Sequence, residues 1–74
     1  MNNSFTVRDE VENALINDER TQNATIDVIS DQGIVTLLGE VESSEIAQAA
    51  EEIARSPDGV IKVINSLIIK SRNR

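Results

Sequence analysis

Between Val7 and Asp18 the apolar positions fall three and four residues apart: Val7, Val11, Ala14 and Leu15 form a stripe, Asp18 continues its spacing, and the charges lie elsewhere. That spacing is one face of an amphipathic helix of roughly three to four turns. Ser4 or Thr6 can cap its start by accepting a hydrogen bond from a free backbone N–H, and Asp9 and Glu10 suit the positive end of the helix dipole. At "TQNATIDVIS" the period shortens to two, with Ile26 and Val28 alternating with Thr25 and Asp27 as in a strand with one buried face. After Gly33, "IVTLLGEV" repeats the pattern.

Parity fixes how these two strands pair. A two-residue turn at Gln32-Gly33 sets Val28 opposite Leu37, Ile26 opposite Gly39 and Asp27 opposite Leu38, whereas a three-residue loop sets Val28 beside Thr36. A slip of one residue turns every side chain to the other face, so the even loop is preferred. The inner face is then Ile26, Val28, Val35, Leu37 and Val41.

"SSEIAQAAEEIARS" returns to the helical period, with Ile46, Ala49, Ala50, Ile53 and Ala54 as an apolar stripe and Ser43 or Ser44 as cap. Alanines in that stripe let a helix lie close to a sheet. Pro57 ends the helix and Asp58-Gly59 turns the chain into a last strand. In "VIKVINSLIIK", Ile61, Val63, Asn65, Leu67 and Ile69 share one parity, and Lys62, Ile64, Ser66, Ile68 and Lys70 the other. The order is αββαβ, and a strand-helix-strand passage implies a right-handed crossover with the third strand parallel to the second. The predicted class is α+β: a two-layer αββαβ sandwich, two helices on one face of a three-stranded mixed sheet, the other face open.

Composition narrows what such a domain can do. With 74 residues the chain is one small domain that buries roughly 60% of its unfolded surface. It has neither cysteine nor histidine, which removes disulfides, thiolate ligands and the side chain best suited to proton transfer near neutral pH. Phe5 is its one aromatic residue, and the net charge is −6, so neither base stacking nor a phosphate backbone fits: nucleic acid is excluded as a partner. Every acid lies between Asp9 and Asp58, while Lys62, Lys70, Arg72 and Arg74 occupy an acid-free C-terminal segment. Charge asymmetry of this kind orients a protein at a surface. No apolar run approaches the 18 or so residues that span a bilayer, and "MNNSFTVRDE" holds no signal-peptide core. A complete chain is expected in the cytoplasm; a domain excised from a longer protein is expected in the periplasm or cell envelope.

The run "GIVTLLGEVESSEIAQAAEEIARSPDGVIKVINSLII" resembles a BON domain, the module named for bacterial osmotically induced periplasmic and nodulation proteins. The pattern G-x-V-x-L-x-G-x-V falls on Gly33, Val35, Leu37, Gly39 and Val41, and G-V-x-x-V-x-N-x-L falls on Gly59, Val60, Val63, Asn65 and Leu67. Val11, Ala14-Leu15 and Asp18 match the first helix, so the likeness covers about residues 7 to 70. Leu38 departs from it, standing where the family usually carries a small polar residue. The resemblance implies an αββαβ sandwich with a non-catalytic role in attachment to phospholipid membranes or to partner proteins of the cell envelope. Residues 1–74 are read as one such domain, with its core at about 5–70 and a basic tail at 71–74.

No constellation for chemistry emerges. The three glycines are far apart and lack the Lys and Ser of a phosphate loop: Gly33 and Gly59 suit turns, and Gly39 leaves space under a helix. Asn65 points inward and is expected to bond neighbouring backbone. Asp9-Glu10 and Glu51-Glu52 read as solvated helix faces. Asp27 and Glu40 share the outer face of the hairpin with Asp31 nearby, but no loop supplies the oxygen spacing of a calcium site. No catalytic, cofactor or metal site is assigned. The open face is the sharpest signal: Ile29, Ile34, Leu38, Ile64 and Ile68 gather there, with Lys62 and Lys70 at the ends of the third-strand stripe. Such a patch suits a second copy of the chain, another protein of the envelope, or a phospholipid surface. The alternative is a small cation-binding or osmotic-stress-related sensor domain.

Overall fold

A computed structural model describes residues 6–70; Ser4, Phe5, Arg72 and Arg74, which figure in the sequence reading, lie outside the described residues. The elements are α1 (Val7–Asn17), β1 (Thr25–Asp31), β2 (Ile34–Val41), α2 (Ser44–Arg55) and β3 (Lys62–Ile69). The sheet order is β1-β2-β3, with β1 antiparallel and β3 parallel to β2. This is the expected α+β arrangement: α1 packs on β1 and on α2, and α2 packs on β3 and β2.

Thr6 is the residue that starts α1. Its Oγ1 accepts from the Asp9 N–H at 3.2 Å while the Asp9 carboxylate accepts from the Thr6 N–H at 3.4 Å, a reciprocal cap. Past Asn17 the backbone leaves the helical region at Asp18, whose carbonyl accepts from the N–H groups of Thr21 and Gln22. Thr21 is only 2% exposed, and its hydroxyl donates to the Leu15 carbonyl at 2.6 Å. It thereby satisfies an acceptor that the end of α1 leaves without an intrahelical partner. A polar residue in a polar loop carries no periodic signal, so this buried plug was not legible in the pattern.

The hairpin has the even turn. Gln32 and Gly33 have φ of 54° and 87°, both left-handed as a type I′ turn requires, and Val28 pairs with Leu37 and Ile26 with Gly39. Gly39 serves a different end from the one expected. A Cβ there would stand 2.5 Å from the Thr25 carbonyl oxygen, and its φ is 131°. The space it leaves is taken by the backbone of β1, not by a helix.

Ser43 caps α2, its hydroxyl accepting from the Ile46 N–H at 3.2 Å. Ala49, Ala50, Ile53 and Ala54 are buried as the stripe predicts, joined by Ala47, while Ile46 is half-buried. The core runs from Val11 and Leu15 of α1 through Val28, Val35 and Leu37 to Ala50, Ile53 and Ala54 of α2. On β3 the helix-side parity is covered only in the middle: Val63, Asn65 and Leu67 are half-buried, whereas Ile61 and Ile69 are 79% and 49% exposed.

Candidate interaction face

Residues paired across a sheet project to the same side, so the register lays out the face turned away from the helices. One end holds Asp31, Ile34 and Lys62 in a row across β1, β2 and β3; next come Ile29, Thr36 and Ile64; then Asp27, Leu38 and Ser66; then Thr25, Glu40 and Ile68. Lys70 continues the β3 parity one step on, its N–H donating to the Val41 carbonyl at 2.7 Å. All seven residues singled out from the sequence therefore lie on one surface. Ile29, Ile34, Ile64 and Ile68 are 40 to 58% exposed and Leu38 is half-buried.

The register also adds what parity alone did not weigh. Asp27, Asp31 and Glu40 stand on this surface, all exposed, so the acidic charge is not confined to the helices behind the sheet. Asp27 and Asp31 stand on β1 and Glu40 on β2, Lys62 and Lys70 lie on the β3 side, and the aliphatic residues are spread over all three strands. Asp31 and Lys62 sit in one row, two strands or roughly 10 Å apart, and are not joined by an ion pair. Neither has an ion-pair partner among the described residues.

Asn65 lies on the opposite side of β3 and explains how the strand is held. Its Nδ2 donates to the Ala47 carbonyl at 3.0 Å and to Glu51 Oε1 at 3.3 Å, and its Oδ1 accepts from the Leu67 N–H at 3.1 Å. The N–H groups of Lys62 and Lys70 donate to the Gly33 and Val41 carbonyls on the inner side of β3, so by alternation that of Leu67 points out from the sheet edge, where Asn65 occupies it.

Among the described residues no group of side chains assembles a reaction centre. Asp27 and Asp31 are four residues apart along β1 and Glu40 lies across β2, and among the described residues no three acids gather in a metal-binding group. A half-open concavity of about 700 Å³ lies at the end of the sheet, where Arg20, Asp27, Glu40 and Glu42 mix their charges around Ala24 and Ile46. No hydrogen-bonded pair of nucleophile and base lines it. The Asp18 carboxyl is held below its ordinary range, chiefly by the hydrogen-bonded Arg20 side chain, and the Arg20 guanidinium is raised in turn by Asp18. That pair is exposed and fixes the loop after α1, with Arg20 also 3.6 Å from Glu52 on α2.

The family model of the BON domain matches residues 3–71, nearly the whole chain. The chain belongs to the BON domain family. In this BON domain the residues that carried the resemblance do structural work: Gly33 makes the hairpin turn, Gly39 admits the β1 backbone, and Asn65 binds β3 to α2. Leu38 lies in the middle of the uncovered face. No curated protein matches the chain in sequence.

Proposed function

We propose that this BON domain is a non-catalytic interaction module that binds another protein surface through its uncovered sheet face. The observation that carries the reading is the gathering of Ile29, Ile34, Leu38, Ile64 and Ile68 on one side of a sheet whose other side holds the entire core. BON domains are in general binding modules without enzymatic activity and occur in periplasmic or envelope proteins, which supports a role of this kind. Five aliphatic residues on one small face approach the upper end of what a monomer usually leaves in water. Three acids among them make a protein surface a better match than an anionic one.

A phospholipid surface is the second reading, favoured by Lys62 and Lys70 on the β3 side of the face. Each is worth roughly 1 kcal/mol near anionic lipid, and Asp27, Asp31 and Glu40 oppose them. Among the described residues no helix is long and apolar enough to cross a membrane.

The test is a photo-crosslinking residue placed at Thr36, in the centre of the face, or at Gln48, exposed on α2, in cells that make the protein. Thr36 should give a defined adduct that Leu38→Asp abolishes, and Gln48 none. Adducts from Gln48 alone would overturn the reading. For the lipid reading the probe is phosphatidylglycerol vesicles: co-sedimentation that Lys62→Glu with Lys70→Glu abolishes would favour lipid over protein.

A further inference from the structure

We infer that the partner of the uncovered face is a second copy of the same chain, packed face to face about a twofold axis parallel to β2. This rests on the interaction reading above and names its occupant.

Charge complementarity under symmetry selects this arrangement. A dyad lying between the two sheets and along the strands exchanges the β1 side of one copy for the β3 side of the other and keeps each row in register with itself. Asp31 of each copy then faces Lys62 of the other, giving an acid and a base that have no ion-pair partner among the described residues a partner across the interface twice over. Ile29 meets Ile64 in the same way, while Ile34 and Leu38 on β2 meet their own counterparts on the axis. Face-to-face sheets pack about 10 Å apart and some 30° from aligned, so that each β2 runs about 15° off the axis and Lys62 stays within side-chain reach of the facing Asp31.

Other symmetric arrangements match worse. A dyad across the strands sets Ile34 against Glu40 and Ile29 against Asp27. Edge-to-edge pairing of two β3 strands centred on Ser66 sets Lys62 against Lys70, and the outward N–H of Leu67 is already bonded to Asn65. Three strands about 4.8 Å apart and eight residues at about 3.3 Å present roughly 400 Å² per copy, so the two together bury less than the roughly 1,200 Å² of a stable interface. The dimer is accordingly weak and dependent on concentration. The same dyad brings the two Glu40 side chains together at one end, an unfavourable contact whose removal tightens the dimer.

Sedimentation equilibrium from about 10 µM to about 1 mM tests it. The mass should rise from one chain toward two across that range. Asp31→Lys and Lys62→Asp should each weaken association about fivefold or more, since each leaves two like-charged contacts across the dyad. An equimolar mixture of these two variants should recover wild-type association, because each supplies what the other lacks, and Glu40→Gln should strengthen it. Circular dichroism melts confirm that these exposed substitutions leave the fold intact. A wild type monomeric throughout, or a mixture that fails to recover, overturns the second-copy assignment. If the Thr36 crosslink still depends on Leu38, the face remains an interaction surface for a different protein; if that crosslink is also absent, the interaction reading falls with it.

Discussion

Asn65 Nδ2 donates to the Ala47 carbonyl at 3.0 Å, joining the middle of the outermost strand β3 to the first half of α2. The same side chain reaches Glu51 and accepts from Leu67, so one amide serves three partners. Removing it leaves the Leu67 N–H without its acceptor and takes a second donor from the Ala47 carbonyl, which keeps its own bond within α2. Asn65→Ala should cost about 1 to 3 kcal/mol in urea unfolding, and Asn65→Leu should not recover it, because volume without an acceptor leaves the Leu67 N–H without its partner. Association through the opposite face should be unchanged in whatever fraction remains folded.

Gly39 is under a stricter constraint. Its φ of 131° and a Cβ position 2.5 Å from the Thr25 oxygen mean that any side chain forces β1 and β2 apart. Gly39→Ala should destabilise the domain by more than about 2 kcal/mol, a large share of what a domain of this size has. A thermal melt of that variant within a degree or two of the wild type would contradict this account of the hairpin.

The turn offers a gain in the other direction. Gln32 holds φ of 54°, a left-handed conformation that costs a residue without special local hydrogen bonding about 1 kcal/mol, and asparagine is preferred there. Gln32→Asn should stabilise by about 0.5 kcal/mol, read as an upward shift in Tm of about 2 to 4 °C.

Much of the fold was legible because period and parity are physical consequences of burial. Val28 and Leu37 had to pair once a slip would have exposed both, and the alanine stripe of α2 follows from how close that helix lies to the sheet. What escaped has no period. Thr21 is buried by a single bond to the last turn of α1, and Gly39 is dictated by the neighbouring strand's carbonyl, a contact that only the three-dimensional pairing reveals. On the candidate face, parity placed Ile29, Ile34, Leu38, Ile64 and Ile68 together. Parity also put Asp27 and Glu40 on the outer face of the hairpin, but the row joining Asp31 to Lys62 became visible only when the register of β2 with β3 joined that of β1 with β2.

Acid sensitivity has a local origin at the loop after α1. The Asp18 carboxyl accepts from the Arg20 side chain at 3.1 Å and from the Arg20 backbone N–H at 2.9 Å, which together hold it below its ordinary value. Being lower folded than unfolded, it adds stability that is present above the unfolded value near 3.9 and is lost as pH falls through the folded one. Asp18→Asn should therefore lower Tm slightly at pH 7, where the ionised carboxylate contributes, and converge with the wild type in acid, so that its fall in Tm below about pH 4 is flatter. The pair is exposed, so added salt should shrink the difference. An unchanged acid profile in the variant would place the sensitivity elsewhere.

The central claim is that the sheet face away from the helices is the surface this domain uses. Isoleucine δ1 methyl groups report on it directly, because they stand on both sides of the sheet: Ile29, Ile34, Ile64 and Ile68 on the uncovered face, Ile53 in the core, and Ile16 exposed on α1. A methyl NMR series would follow the protein with rising concentration and, separately, with bicelles containing phosphatidylglycerol. The account predicts shifts or broadening at Ile29, Ile34, Ile64 and Ile68 in at least one series, with Ile16 and Ile53 unmoved. Perturbations centred on Ile16, or none at the four sheet methyls in either series, would contradict it.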